Sequence, residues 1–156
     1  MILSVQGSTK YNRQYVEEAA YYYQKLLMPR MKSLQIDIEL IPNLETKDGV
    51  SGDCIWEDGR GNPREFTIRV CSTVGRSEML MTLAHEMVHV KQYARGELKD
   101  TYEGFKYCKW LGKRFNWNKT HYYDLPWEIE AHGREEGMFV RYAREYDYEK
   151  CKWYNV

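Results

Sequence analysis

The run Ser77-Glu78-Met79-Leu80-Met81-Thr82-Leu83-Ala84-His85-Glu86-Met87-Val88-His89-Val90-Lys91-Gln92-Tyr93 carries two patterns at once. Met79, Leu80, Leu83, Ala84, Met87, Val88 and Val90 recur at three- and four-residue spacing, while Glu78, Thr82, Lys91 and Gln92 fall elsewhere. This predicts an amphipathic helix with one face turned to a core. Gly75-Arg76-Ser77 offers its start, with Ser77 as N-cap, and Gly96 its stop. Laid on that helix, His85 and His89 stand one turn apart on the same face with Glu86 beside them, the spacing H-E-x-x-H. Two imidazoles so arranged can reach one metal ion. Zinc suits them, since it binds neutral imidazole nitrogen at about 2.0–2.1 Å and, at catalytic sites, takes three protein ligands and leaves a fourth position to water. Glu86 is then the natural base for that water.

A third ligand has to come from elsewhere, and Leu125-Pro126-Trp127-Glu128-Ile129-Glu130-Ala131-His132 offers candidates. Pro126 marks a helix start, because its missing N–H costs nothing in the first turn, and the segment reads as helix to about Tyr148. Glu128 falls in that first turn, where the helix dipole favours a carboxylate. Glu128, His132, Glu135, Phe139, Tyr142 and Tyr146 share one face by the three-and-four rule, whereas Glu130 points nearly the opposite way. Only one of Glu128 and Glu130 can face the metal. His121 and His132 are the other possible donors.

H-E-x-x-H followed by a helix that carries a glutamate resembles the gluzincins, the thermolysin-like clan, and the short chain is similar to their minimal members, the minigluzincins. The resemblance covers mainly residues 76 to 145. It implies a peptidase with zinc as cofactor, His85, His89 and Glu128 as ligands and Glu86 as the general base. In several such families the glutamate opens E-x-x-x-D or E-x-x-A-D, the aspartate being an outer partner of a ligand histidine. Here His132 stands at the aspartate's position, which alters how the ligands are oriented. Tyr122 or Tyr123, just ahead of Pro126, is a candidate donor to the oxyanion of the reaction, as tyrosines or histidines are in related peptidases. The metzincin pattern is excluded, because Gln92 and Arg95 stand where its glycine and third histidine belong. SprT-like proteases are similar in size and use a third histidine. The balanced charge and the lack of a cysteine zinc ribbon argue against that reading. A non-catalytic scaffold with a structural metal is the remaining alternative, and a fourth protein ligand such as His121 or His132 would mark it.

Composition narrows the setting. Lys plus Arg and Asp plus Glu number 23 each, so no net field draws the chain to nucleic acid or to an anionic membrane. No apolar run is long enough to span a bilayer, and Met1 to Gly7 lacks the features of a secretory leader. Cys54, Cys71, Cys108 and Cys151 show no C-x-x-C spacing, which predicts reduced thiols in a cytoplasmic protein. The expected partner is a protein or peptide substrate. The length fits one domain, residues 1–156.

The remaining pattern predicts an α+β, zincin-like fold. Residues 11 to 32 read as a backing helix that Pro29 bends or ends. Ile36 to Leu40, Val50 to Trp56 and Phe66 to Cys71 alternate as strands, with turns at Lys47-Asp48-Gly49 and Asp58 to Pro63. These predict a mostly antiparallel sheet of three to four strands ahead of the motif helix. The strand Glu65 to Ser72, directly before that helix, is the expected edge for pairing with extended substrate. Gly96 to Asp124 is long for a connection and rich in aromatics, including Tyr102, Phe105, Trp110 and Trp117, with a hairpin expected around Gly112.

Overall fold

The computed structural model describes residues 1–101 and 107–156, so Tyr102 and Phe105 lie outside the described residues. Strand β1 (Ile2–Gly7), helix α1 (Lys10–Leu27) and strand β2 (Gln35–Ile41) form a βαβ unit in which the two strands are parallel. A parallel pair requires a crossover, and the 18 residues of α1 provide it. Thr9 opens α1 by accepting the Asn12 amide at 3.2 Å. The helix ends at Leu27, short of the expected residue 32, because the residue before Pro29 is driven out of helical geometry.

A short helix α2 (Leu44–Asp48) replaces the turn predicted there and closes on Gly49, whose φ of 76° suits glycine. Strands β3 (Gly52–Trp56) and β4 (Glu65–Cys71) then pair antiparallel, and β4 lies parallel to β2. The sheet order is β1-β2-β4-β3. The fold is α+β, but the sheet is mixed rather than mostly antiparallel, since two of its three pairings are parallel. The strand that changes the count is β1, which the pattern does not predict. It owes its order to its neighbour: Ser4 donates to Asp37 and Gln6 to Glu39 across the pair. The pairing of β4 with both β2 and β3 corrects the expected edge. The strand from Glu65 sits inside the sheet, and β3 is the edge on that side.

One face of the sheet is apolar, with Val5, Ile38, Ile68 and Cys54 in register, and packs under α1 and helix α3 (Arg76–Ala94). The opposite face sets Gln6, Glu39, Arg69 and Asp53 side by side, and Arg69 is hydrogen-bonded to Asp53. Ser77 is not the cap of α3. Gly75 holds that place, while the Ser77 hydroxyl donates to the Trp153 carbonyl at 3.0 Å and accepts the Asn155 amide at 2.8 Å.

After α3 come β5 (Leu98–Asp100), β6 (Cys108–Trp110) and β7 (Lys113–Phe115), a small antiparallel sheet. The expected hairpin turns through Leu111 and Gly112, with φ of 48° and 80°, the left-handed pair that matches strand twist. Helix α4 (Pro126–Glu145) begins at Pro126 as predicted and ends before Tyr148, since Asp147 takes a positive φ of 58°. Trp127 seats its first turn on the small sheet, its ring 5.3 Å from Phe115 and 6.1 Å from Trp110. Leu98, Cys108 and Leu125 complete that apolar seat. Among the described residues no helix is long and apolar enough to cross a membrane, and the four cysteines are unpaired.

Candidate metal centre

Helices α3 and α4 lie against each other, and their contact brings the motif histidines to the first turn of α4. His85 Nε2 is 3.1 Å from His89 Nε2 and 3.3 Å from Glu128 Oε2, and His89 Nε2 is 3.5 Å from Glu128 Oε1. A tetrahedral ion with bonds of about 2.0–2.1 Å separates its donors by about 3.3 Å. The three spacings bracket that value, so this donor set fits a metal ion. His85 and Glu128 are buried, at 7% and 8% exposure, and His89 is half-buried.

Each donor is held from behind. His85 Nδ1 meets Glu135 Oε2 at 2.7 Å, and His89 Nδ1 meets Gln92 Oε1 at 2.8 Å. The Tyr122 hydroxyl donates to Glu128 Oε2 at 2.7 Å. Bonds at both Nδ1 atoms leave both Nε2 lone pairs for the metal. Sequence reasoning placed Glu135 on the right face but gave it no role, and missed Gln92 altogether. The available signals were Glu135 lying two turns beyond Glu128 and Gln92 lying three residues after His89.

Burial would lower the His85 imidazole, but hydrogen bonds to Glu128 and Glu135 outweigh it and raise the group to about 9. His89 is raised as well: burial opposes this, and Glu128 and Glu86 overcome it. Burial also works against ionised Glu128, yet hydrogen bonds from both histidines and Tyr122 hold it well below the usual carboxylate range. Glu86 moves the other way: burial lifts it to about 7 against the pull of His89 and His85. No hydrogen bond or ion pair to its carboxylate occurs among the described residues, although it is only 5% exposed. It runs beside edge strand β3, where a methyl group on Gly52 would come within 3.1 Å of Glu86 Oε1 and 2.6 Å of the Thr82 methyl. The glycine leaves the carboxylate its room.

The other sequence candidates do not join the three donors. Glu130 turns away, as helical phase predicts, to Lys91 at 2.5 Å and Arg134 at 3.0 Å. His132 sets its ring 4.5 Å from that of His85, tilted by 59°, and approaches Glu135 Oε1 at 3.3 Å through Nδ1. A second group of possible donors, His85, His132 and Glu135, is therefore the hydrogen-bonded backing of the first. His121 stacks on Tyr123, and Tyr123 is 65% exposed. Chemically, two neutral nitrogens and one carboxylate can hold a dication, with an unpaired, protonatable carboxylate next to it. Comparison of the chain with family models, with curated proteins and with solved structures gives no match.

Proposed function

We propose that this chain is a zinc-dependent metallopeptidase of zincin type, with His85, His89 and Glu128 as ligands and Glu86 as general base. The observation that carries the reading is the spacing of the three donor atoms, 3.1 to 3.5 Å apart, on helices that bring no fourth acidic, histidine or cysteine side chain into the set among the described residues. Three protein donors and one open position characterise catalytic rather than structural zinc. A non-catalytic metal site would favour a closed set, and neither His121 nor His132 closes this one.

A bound zinc ion would acidify a water and polarise a substrate carbonyl. Glu86 is suited to take the proton of that water: burial holds its carboxyl near neutrality, at about 7, so it accepts a proton readily and returns it to the leaving amine. Of the two tyrosines, Tyr122 is the one whose hydroxyl reaches the ligand carboxylate, and we assign to it the donor role toward the developing oxyanion, for which its single proton would turn from Glu128 to the substrate oxygen. Free backbone groups along the edge of β3, beside Glu86, suit an extended peptide added as a further strand.

Glu86→Gln keeps the shape of the side chain and removes its basicity. Zinc content measured by atomic absorption should stay at one per chain, while cleavage of an unstructured protein substrate falls by about 10²- to 10⁴-fold. Undiminished cleavage by this variant would remove Glu86 from the reaction. A zinc-loaded wild-type protein inert toward unstructured polypeptides would favour the non-catalytic reading instead.

A further inference from the structure

Gln92 has no exposed surface, and every polar atom of its side chain is used. Its Nε2 donates to the Trp127 carbonyl at 2.9 Å and to Glu130 Oε2 at 3.1 Å, and its Oε1 faces His89 Nδ1 at 2.8 Å. The amide has only one workable orientation. A backbone carbonyl is purely an acceptor, and so is the Glu130 carboxylate, which is ion-paired to Lys91 at 2.5 Å and to Arg134 at 3.0 Å. Two acceptors on one side require the NH₂ group there. The carbonyl oxygen must then face His89, and His89 Nδ1 must carry its proton. The His89 Nε2 lone pair is thereby directed at His85 and Glu128.

We infer that Gln92 is the positioning residue of His89 and that it fixes the ring's tautomer and angle from the first turn of α4. The inference rests on the metal-site reading above. One amide joins three parts of the site: the His89 ring on α3, the Trp127 carbonyl next to Glu128, and the Glu130 carboxylate. Lys91, itself buried between Glu130 and Glu97 at 2.5 and 2.8 Å, holds the last of these still. Glu130 thus acts two steps from the metal site, reaching α3 at Lys91 and Gln92 rather than at the histidines. The two histidines are also held by different chemistry. Glu135 brings a negative charge to His85, which favours an imidazolium, whereas the neutral Gln92 selects a tautomer at His89 without adding charge.

Gln92→Met fills nearly the same volume with neither donor nor acceptor, so it separates hydrogen bonding from packing. In the metal-free protein, at a pH where the imidazoles are neutral, long-range proton–nitrogen correlation spectra should show His89 protonated at Nδ1 in the wild type. In Gln92→Met the same ring should move toward the Nε2-protonated form that a free imidazole prefers. Zinc affinity, measured by competition with a chromophoric chelator, should weaken by about 10- to 100-fold. The visible spectrum of the cobalt-substituted protein should shift. An unchanged His89 tautomer together with unchanged zinc affinity would overturn the inference. Should Gln92→Met not fold, Glu130→Ala leaves Trp127 as the sole anchor, and the same measurements should move in the same direction by several-fold. Glu130→Ala with wild-type tautomer and affinity counts against the inference equally. Because the tautomer is read without metal, a wild-type chain that binds no zinc would defeat the metal-site reading and still leave the role of Gln92 decided.

Discussion

The two halves of α4 do opposite work. Its first half, Pro126 to Glu135, presents buried or half-buried polar groups to α3: Glu128 to both histidines, Glu130 to Lys91 and Gln92, and Glu135 to His85. Its second half turns Met138, Phe139, Tyr142 and Ala143 into the main core, where Tyr142 donates to Glu18 at 2.7 Å and Phe139 stacks on Tyr154 at 5.6 Å. Burying polar groups yields little net stability even when each one is paired, while burying large apolar groups yields much. One half of the helix holds the fold, and that lets the other half hold a cluster of buried polar groups.

The largest effect that tests this division is expected from Phe139→Ala. It should cost about 3–5 kcal/mol in chemical denaturation, because it empties a fully buried site, and yet leave the zinc affinity of the folded fraction unchanged. Weakened zinc binding in the folded protein would show that the halves are coupled. Glu135→Gln should do the reverse: the unfolding midpoint stays close to wild type while chelator competition shows zinc held about 10- to 100-fold less tightly. Tyr122→Phe removes one hydrogen bond to a carboxylate from a half-exposed side chain, and turnover should drop by about tenfold with little change in stability.

The smallest effect is the response of the metal-free protein to pH. His85 is raised from 6.5 to about 9, so the stability it contributes is complete below 6.5 and lost as pH rises through about 9. Glu86, raised from 4.5 to about 7, also holds its proton more tightly in the folded state, and its contribution is lost between those values. Glu128 is lowered, so its contribution disappears only as pH falls below 4.5. The melting temperature should therefore decline by several degrees between pH 5 and 9, roughly the window these groups span. Tyr142, held above its ordinary value by burial and Glu18, adds nothing there. Removing the Glu86 and His85 titrations with Glu86→Gln and His85→Phe should flatten the decline. A decline that survives both changes would place its source in His89, which is raised as well, or outside the site.

Much of this site is legible from helical phase alone. One period sets His85 beside His89, selects Glu128 over Glu130, and starts α4 at Pro126; the glycine turn likewise announces the hairpin. What stays hidden depends on partners far along the chain. No pattern in Ile2–Gly7 reveals a strand, because its order comes from Asp37 and Glu39 on β2. The parallel pairing of β2 with β4 and the edge position of β3 are hidden for the same reason, since strand alternation does not name a strand's neighbour. Gln92 and Glu135 stand at helical spacing from His89 and Glu128, but spacing alone does not show what they bond, since the Gln92–Trp127 and Glu135–His85 contacts cross from α3 to α4 and that crossing is fixed by core residues such as Ala131 and Phe139.

The seat of Trp127 on the small sheet also sets an order of events in time. His85 and His89 are near neighbours on one helix, whereas Glu128 arrives only after the chain has passed through β5, β6 and β7. A hairpin with a two-residue turn closes within about 1–10 μs, well ahead of most long-range docking. As the chain emerges from synthesis, the cradle for Trp127 is ready before α4 exists to use it. The complete donor set is therefore a late product of folding, and on the metallopeptidase reading an ion would find its three ligands together only at that stage.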